Sequence, residues 1–288
     1  MTNPNTSCEF TANKGEGIYL FGFARPHALH TIECPPLEDG QPLAQWVFQN
    51  VAAVFCMVDL EEWIGRSSEE KLQDLIWVAP RACVHETVIE RIMVCSPVLP
   101  ARFATLFSSL DTLAQLVVSH YSVISAFLDS VVGKEEWAVK MLLDRARAEE
   151  HLLASLASSQ DQNVGVSPGR GYLREQRLRD EVRKKLHSWV TTIADLIAGE
   201  LESPTVASRS LKPLPRNASG RDKDMAFNWA FLLARDSRDQ FHARASQLGA
   251  KYADQGIILD ISGPWPPYSF CPSLGSNLQL THKADAPS

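Results

Sequence analysis

The chain has 288 residues, 45% of them hydrophobic and 22% charged, with a formal net charge of −6. This balance excludes an intrinsically disordered chain, which would carry far fewer apolar residues, and gives no overall reason to expect a nucleic-acid binder. The length suits one large domain or two modest ones. The N-terminal stretch "MTNPNTSCEFTANKGEG" is polar and lacks the apolar core of a signal peptide. No run of about 18 apolar residues predicts a membrane span. Six cysteines, at 8, 34, 56, 83, 95 and 271, form no C-x-x-C pair. Cys56, Cys83 and Cys95 are expected as buried thiols in a reduced cytoplasmic setting.

In chain order, "GIYLFGFARP" (Gly17 to Pro26) predicts a first strand. "VAAVFCMVDL" (Val51 to Leu60) is a continuous apolar run, as in a strand covered on both faces. A helix is expected to begin in "SSEEKLQDLIWVAPR", where Ser67 or Ser68 can cap and Glu69 and Glu70 suit the positive end of the helix dipole. "RACVHETVIERIMVC" continues with apolar residues spaced by four at Val84, Val88 and Ile92. "SPVLPARFATLF" predicts a short, proline-bounded strand. An amphipathic helix follows in "SLDTLAQLVVSHYSVISAFLDSVVG", ending at Gly133.

The pattern changes at Lys134. "EEWAVKMLLD" predicts a strand with one dry face, and the segment from Arg145 to Pro168 is polar and weakly patterned toward its C-terminal end. A long helix is expected from about Tyr172 to Glu202. "ESPTVASRSLKPLPRNASG" predicts a proline-interrupted edge strand, and "MAFNWAFLLARD" another strand. "SRDQFHARASQLGAKYADQG" predicts a helix stopped by Gly256, and "IILDIS" a last strand. From Lys134 the order is strand, helix, strand, strand, helix, strand, the βαββαβ order of the split βαβ unit. The expected class is α+β with two domains: 17–133 N-terminal and 134–270 C-terminal, with 1–16 and 271–288 disordered.

Few stretches point to chemistry. "HETVIE" (His85 to Glu90) lacks the second histidine that a zinc-protease helix places four residues on, since that position is Ile89. It is expected to be a solvated or capped helix face. "NVGVSPGRGY" (Asn163 to Tyr172) has three glycines before a helix but not the phosphate-loop pattern, and is expected to be a linker. The following helix carries seven cations against three carboxylates over 170–185, a local net charge of +4, with Tyr172 the one aromatic in the run and so no series of rings to stack bases. Such a run is a solvated face or a docking surface for an acidic partner, with Arg174, Arg177 and Arg183 as contact candidates.

The segment "DISGPWPPYSF" (Asp260 to Phe270) packs three prolines and three aromatics into seven residues. Pro264, Pro266 and Pro267 fix φ and donate no hydrogen bond, so the chain is expected to leave the sheet as an extended tail. Its rings are expected to pack back on the sheet or across the domain boundary. Trp265 and Tyr268 are the contact candidates if the tail also meets a partner.

Several of these stretches, "IYLFGFA", "VHETVIERIM", "PVLPARFATLF", "GKEEWAVKMLLD", "SPGRGYLREQR", "DMAFNWAFLLAR" and "ISGPWPPYSF", together resemble the gas vesicle protein F and L family, in that family's order from Gly17 to Phe270. The chain departs from the family at Arg102-Phe103-Ala104, where glycine is common at the third position. The resemblance implies an N-terminal α+β domain plus a modified ferredoxin-like C-terminal domain. It also implies a non-enzymatic accessory protein of gas vesicle assembly, acting in the cytoplasm or on the vesicle. Such a protein contacts the small hydrophobic shell protein and other accessory proteins, without a cofactor, nucleic acid or membrane. Two other readings stand beside it: a generic interaction module presenting "PWPPY" to an aromatic groove, and a nucleotide- or anion-binding protein using the basic helix.

Overall fold

The central strand of the first half, β1 (Glu16–Ala24), is buried from Gly17 onward because it has strands on both sides and helices on both faces. The computed structural model describes residues 15–26, 37, 42–65, 68–158, 168–215 and 223–274, with backbone alone at 68–69 and 168–175. These divide into two compact units: residues up to Val132 joined by those from Pro266, and Gly133–Trp265. The expected termini at 1–14 and 275–288 lie outside the described residues.

In the first unit β1 pairs antiparallel with β3 (Val51–Asp59) on one side and with β4 (Val98–Pro100) and β5 (Leu106–Phe107) on the other. An unforeseen strand, β2 (Ala44–Phe48), closes the order β2-β3-β1-β4 as an antiparallel neighbour of β3. The single proline-bounded strand expected before Phe107 is thus two short strands joined by a turn.

Alternation along these strands feeds two cores. Ile18, Leu20, Val51, Ala53 and Phe55 pack with Leu113, Val117, Ile124 and Leu128 of α4 (Leu110–Ser130). Tyr19, Phe21, Val54, Cys56 and Val58 pack with Trp63 of α1 (Leu60–Ile64) and with Val88, Ile89 and Ile92 of α3 (Leu75–Cys95). A bulge between Leu20 and Gly22 inverts the parity of β1, so that Phe23 joins the α4 core and Ala24 the α3 core. Gly22 allows this close pairing, since a Cβ there would lie 2.6 Å from the Leu99 carbonyl oxygen. A short helix, α2 (Ser68–Gln73), precedes α3, and α4 opens with a reciprocal cap between Ser109 and Thr112.

The second unit is a four-stranded antiparallel sheet in the order β7-β8-β6-β9, with β6 (Lys134–Leu143), β7 (Ala207–Leu211), β8 (Asp224–Ala234) and β9 (Ile257–Trp265). β7 is an edge strand, as the prolines beside it require. Trp137, Val139 and Met141 of β6 and Trp229, Phe231 and Leu233 of β8 pack beneath three helices. These are α5 (Arg145–Ser158), α6 (Pro168–Glu202) and α7 (Arg238–Ala253). The weakly patterned stretch after Arg145 is therefore a helix, held by Ala148 and Leu152 in this core. Gly256, at φ +79°, ends the α7 turn where a Cβ would meet the Asp144 carbonyl oxygen at 2.6 Å.

β9 does not stop at Ser262 but runs through Pro264 to Trp265, because it is an edge strand and no outer neighbour needs the missing N–H. Residues 266–270, expected in the C-terminal domain, belong to the first unit. Beyond them Leu274 is 7% exposed within the α4 core, although 271–288 was expected to be disordered.

Candidate functional site

The described cations of α6 lie on its outward side. Leu178, Val182, Leu186 and Val190, spaced by four, face the core, which leaves Arg177, Arg183, Lys184 and Lys185 exposed. Arg183 lies 3.7 Å from Asp180 and Lys185 lies 2.7 Å from Glu181, both within one helical turn. Exposed pairs of this kind are worth little, and they partly neutralise the run. Arg174 lies on α6, but its side chain is outside the described residues, as are all residues of 159–167 in the glycine-rich stretch. The helix itself begins at Pro168, inside that stretch, rather than at Tyr172.

The aromatic candidates part company. Trp265, in the second unit, is 38% exposed and donates its indole N–H to Ser262 Oγ at 3.3 Å. Tyr268, in the first unit, is half-buried against the α3 core and donates its hydroxyl to Glu86 Oε1 at 3.0 Å. Burial raises the Glu86 carboxyl above its ordinary range, the Tyr268 bond partly offsets this, and Glu90 one turn on adds to it. Burial, and then Glu86 itself, push the Tyr268 phenol far up, so it stays a donor. Phe270 and Cys271 then cross to the α4 core. Trp265 and Tyr268 thus fall in different units.

Two sequence expectations are overturned beside this tail. His85 is not on a solvated face but 2% exposed. Its Nε2 lies 3.2 Å from the Ala101 carbonyl oxygen, which can only accept, so the proton sits on Nε2. Nδ1 then accepts from the Tyr19 hydroxyl at 2.9 Å, and that hydroxyl accepts the Ala104 N–H at 3.3 Å. Burial holds the His85 imidazole down to about 4 and raises the Tyr19 phenol. This relay satisfies every polar atom it buries, and it braces the β4–β5 turn against α3. Cys56 is buried as expected, but Cys83 and Cys95 are exposed on the outer side of α3. Four-residue spacing marks the helix but does not say which thiols fall on its buried stripe.

In the second unit a buried carboxylate meets a partly exposed guanidinium. Glu135, 2% exposed, accepts two bonds from Arg238 at 2.7 Å each and one from the Trp137 indole at 2.9 Å. It fastens β6 to the start of α7. Among the described residues no group of three or more His, Cys, Asp or Glu is placed to hold a metal ion. No helix among them is long and apolar enough to cross a membrane.

Residues 17–272 match the family described as gas vesicle synthesis protein GvpL/GvpF. Gas vesicle protein L of Streptomyces sp. (strain CB03234) is 24% identical over 214 residues, 74% of this chain and 77% of that relative. Gas vesicle protein F of Dolichospermum flosaquae is 26% identical over 264 residues, 88% of this chain and 96% of its own. Among solved structures, gas vesicle protein GvpF from Anabaena sp. PCC7120 aligns with a TM-score of 0.66 at 19% identity, covering 90% of this chain and 97% of that one. GvpF from Microcystis aeruginosa aligns at 0.62 and 16% identity, covering 89% and 99%.

Proposed function

The chain belongs to the gas vesicle synthesis protein GvpL/GvpF family, and from that premise we propose that it serves gas vesicle formation as a non-enzymatic accessory protein. It binds the hydrophobic shell protein, other accessory proteins, or both, in the cytoplasm or on the growing vesicle. The observation that carries this reading is the match over residues 17–272, which spans both units rather than one borrowed module. The strand order β7-β8-β6-β9, all antiparallel, supports a modified ferredoxin-like reading of the second unit. Arg174, Arg177, Arg183 and Trp265 are its proposed contact residues, while Tyr268 serves by holding the tail in place.

The test is genetic and biochemical. In a gas-vesicle-forming host lacking its own homologue, the intact chain restores buoyant vesicles, and tagged chain retains the shell protein or accessory proteins on co-expression. Normal vesicles without any such protein, or retention of none of these partners, would overturn the reading. A rise in melting temperature with nucleotide would favour the anion-binding alternative instead.

A further inference from the structure

Leu72, Leu75 and Ile76 are 42%, 76% and 86% exposed, within five residues of sequence where α2 ends and α3 begins. Asp74 creates this corner. Its side chain accepts the Ile76 N–H at 2.9 Å, which caps α3 and separates it from α2. The three apolar side chains are therefore presented at a helix junction instead of being buried beneath one. Large aliphatic groups clustered in water mark interaction sites more often than isolated ones do.

The charge of the stretch leading into this junction is one-sided among the described side chains. Asp59, Glu61, Glu70 and Asp74 are exposed on α1, α2 and the residues flanking them, against Lys71 alone among the described side chains of that stretch. The nearest α3 cation, Arg81, is drawn away: its guanidinium meets Glu62 Oε1 at 3.0 Å and stacks 4.1 Å over the Trp77 ring. An apolar centre with an anionic surround matches the anatomy of an interface, and the surround names the sign of what it meets.

We propose that the α2–α3 junction docks an amphipathic helix of another protein, whose apolar face is flanked by lysine or arginine. The exposed apolar groups offer a seat for the apolar stripe of such a helix, and the acidic side chains of the neighbouring stretch select cations beside that stripe. The same rim opposes an anionic bilayer. A second copy fits poorly, because the exposed cations of α6 stand between Leu178, Val182 and Leu186, which are buried in their own core. The inference rests on reading the chain as an interaction protein.

The test uses the intact chain and two synthetic helical peptides with leucine on one face, one flanked by lysine and the other by glutamate. Leu75→Ser/Ile76→Ser removes the apolar centre, and Glu61→Lys/Glu70→Lys inverts the rim. All four positions are exposed, so circular dichroism and melting should match the parent chain. Fluorescence anisotropy should show the lysine peptide bound at least about tenfold more tightly than the glutamate peptide. The serine pair should lose binding of both, and the lysine pair should reverse the preference. Unchanged binding by the serine pair, an unreversed preference, or capture of anionic phosphatidylglycerol vesicles in place of the peptide would overturn the proposal. So would salt-sensitive self-association that the same variants abolish, which would make the occupant a second copy. If co-expressed gas vesicle proteins are retained equally by parent and serine pair, this surface fails while the assembly role stands. If the parent chain retains none, the assembly role fails whatever the peptides do.

Discussion

Tyr268 donates its hydroxyl to Glu86 at 3.0 Å across 182 residues of sequence, tying the end of the chain to the middle of α3. Tyr268→Phe keeps the ring but leaves Glu86 with one acceptor bond fewer in a half-buried site. The expected loss is about 1–2 kcal/mol, less than a fully buried charge-assisted bond would give. The Glu86 carboxyl should titrate higher still, since the lost bond is the contribution that lowers it. Thermal melts and carboxyl titration by NMR check both, and an unchanged Glu86 titration would show that the bond does not form in solution.

The second unit is spliced into the first, and Glu136 near its beginning lies opposite Trp265 at its end. A fragment comprising residues 1–133 would lack Tyr268, Phe270 and Leu274, which pack in both cores of the first unit. It should melt well below the same fragment with residues 266–274 rejoined through a short linker. A large-to-small change at a buried leucine costs about 2–5 kcal/mol, and Leu274→Ala should fall in the lower half of that range. Identical melting of the two fragments would show that the tail contributes nothing to the fold.

Ala104 holds φ at +60° in the turn between β4 and β5, where L side chains are strained. Glycine relieves that strain but loses more entropy on folding. Ala104→Gly is therefore expected to be neutral or to stabilise by up to about 1 kcal/mol. Ala104→Val, β-branched in the same backbone region, should destabilise clearly. Denaturant melts decide, and a marked loss on Ala104→Gly would mean that the methyl group packs better than the strain costs.

His85 is buried and neutral, with its pKa lowered from 6.5 to about 4. Between these values the unfolded chain binds a proton that the folded one refuses, so stability is full above about 6.5 and declines as pH falls toward 4. The slope approaches about 1.4 kcal/mol per pH unit. Glu86 acts in the opposite sense, because a carboxyl raised by folding gains its proton first in the native state. Melts from pH 7 to 4.5 in a Glu86→Gln background should therefore expose the His85 slope, and a flat profile there would contradict the buried neutral imidazole.

The elements with strong local signatures were legible. The apolar runs of β1 and β3, the alternation of β6, the helix α4 and the Gly256 stop follow from residue type and period alone. β2 was missed because Ala44–Phe48 is short and only half-buried, so its alternation is faint. α5 was missed because its first turns are mostly charged and only Ala148 and Leu152 are fully buried, with Leu153 and Leu156 partly packed against the core. Arg177 and Arg183 of α6 lie on the outer side, but the exposed residues Leu72, Leu75 and Ile76 gave no sign, since apolar residues in a helical pattern read as core.

What the sequence determined by itself is therefore local: which segments are helix or strand, where turns must lie, and the motifs that assign the family. These depend on side-chain period and backbone preference over a few residues, which neighbours in sequence settle. Only the tertiary structure decided which side of each element is covered. It buried His85 and exposed Cys83 and Cys95 on the same helix, and it left Ile76 in water. It also carried the tail from an edge strand of one unit into the cores of the other. The physical reason is that burial and hydrogen-bond partners are set by chain segments as far apart as Glu86 and Tyr268, and no local pattern encodes where such segments meet.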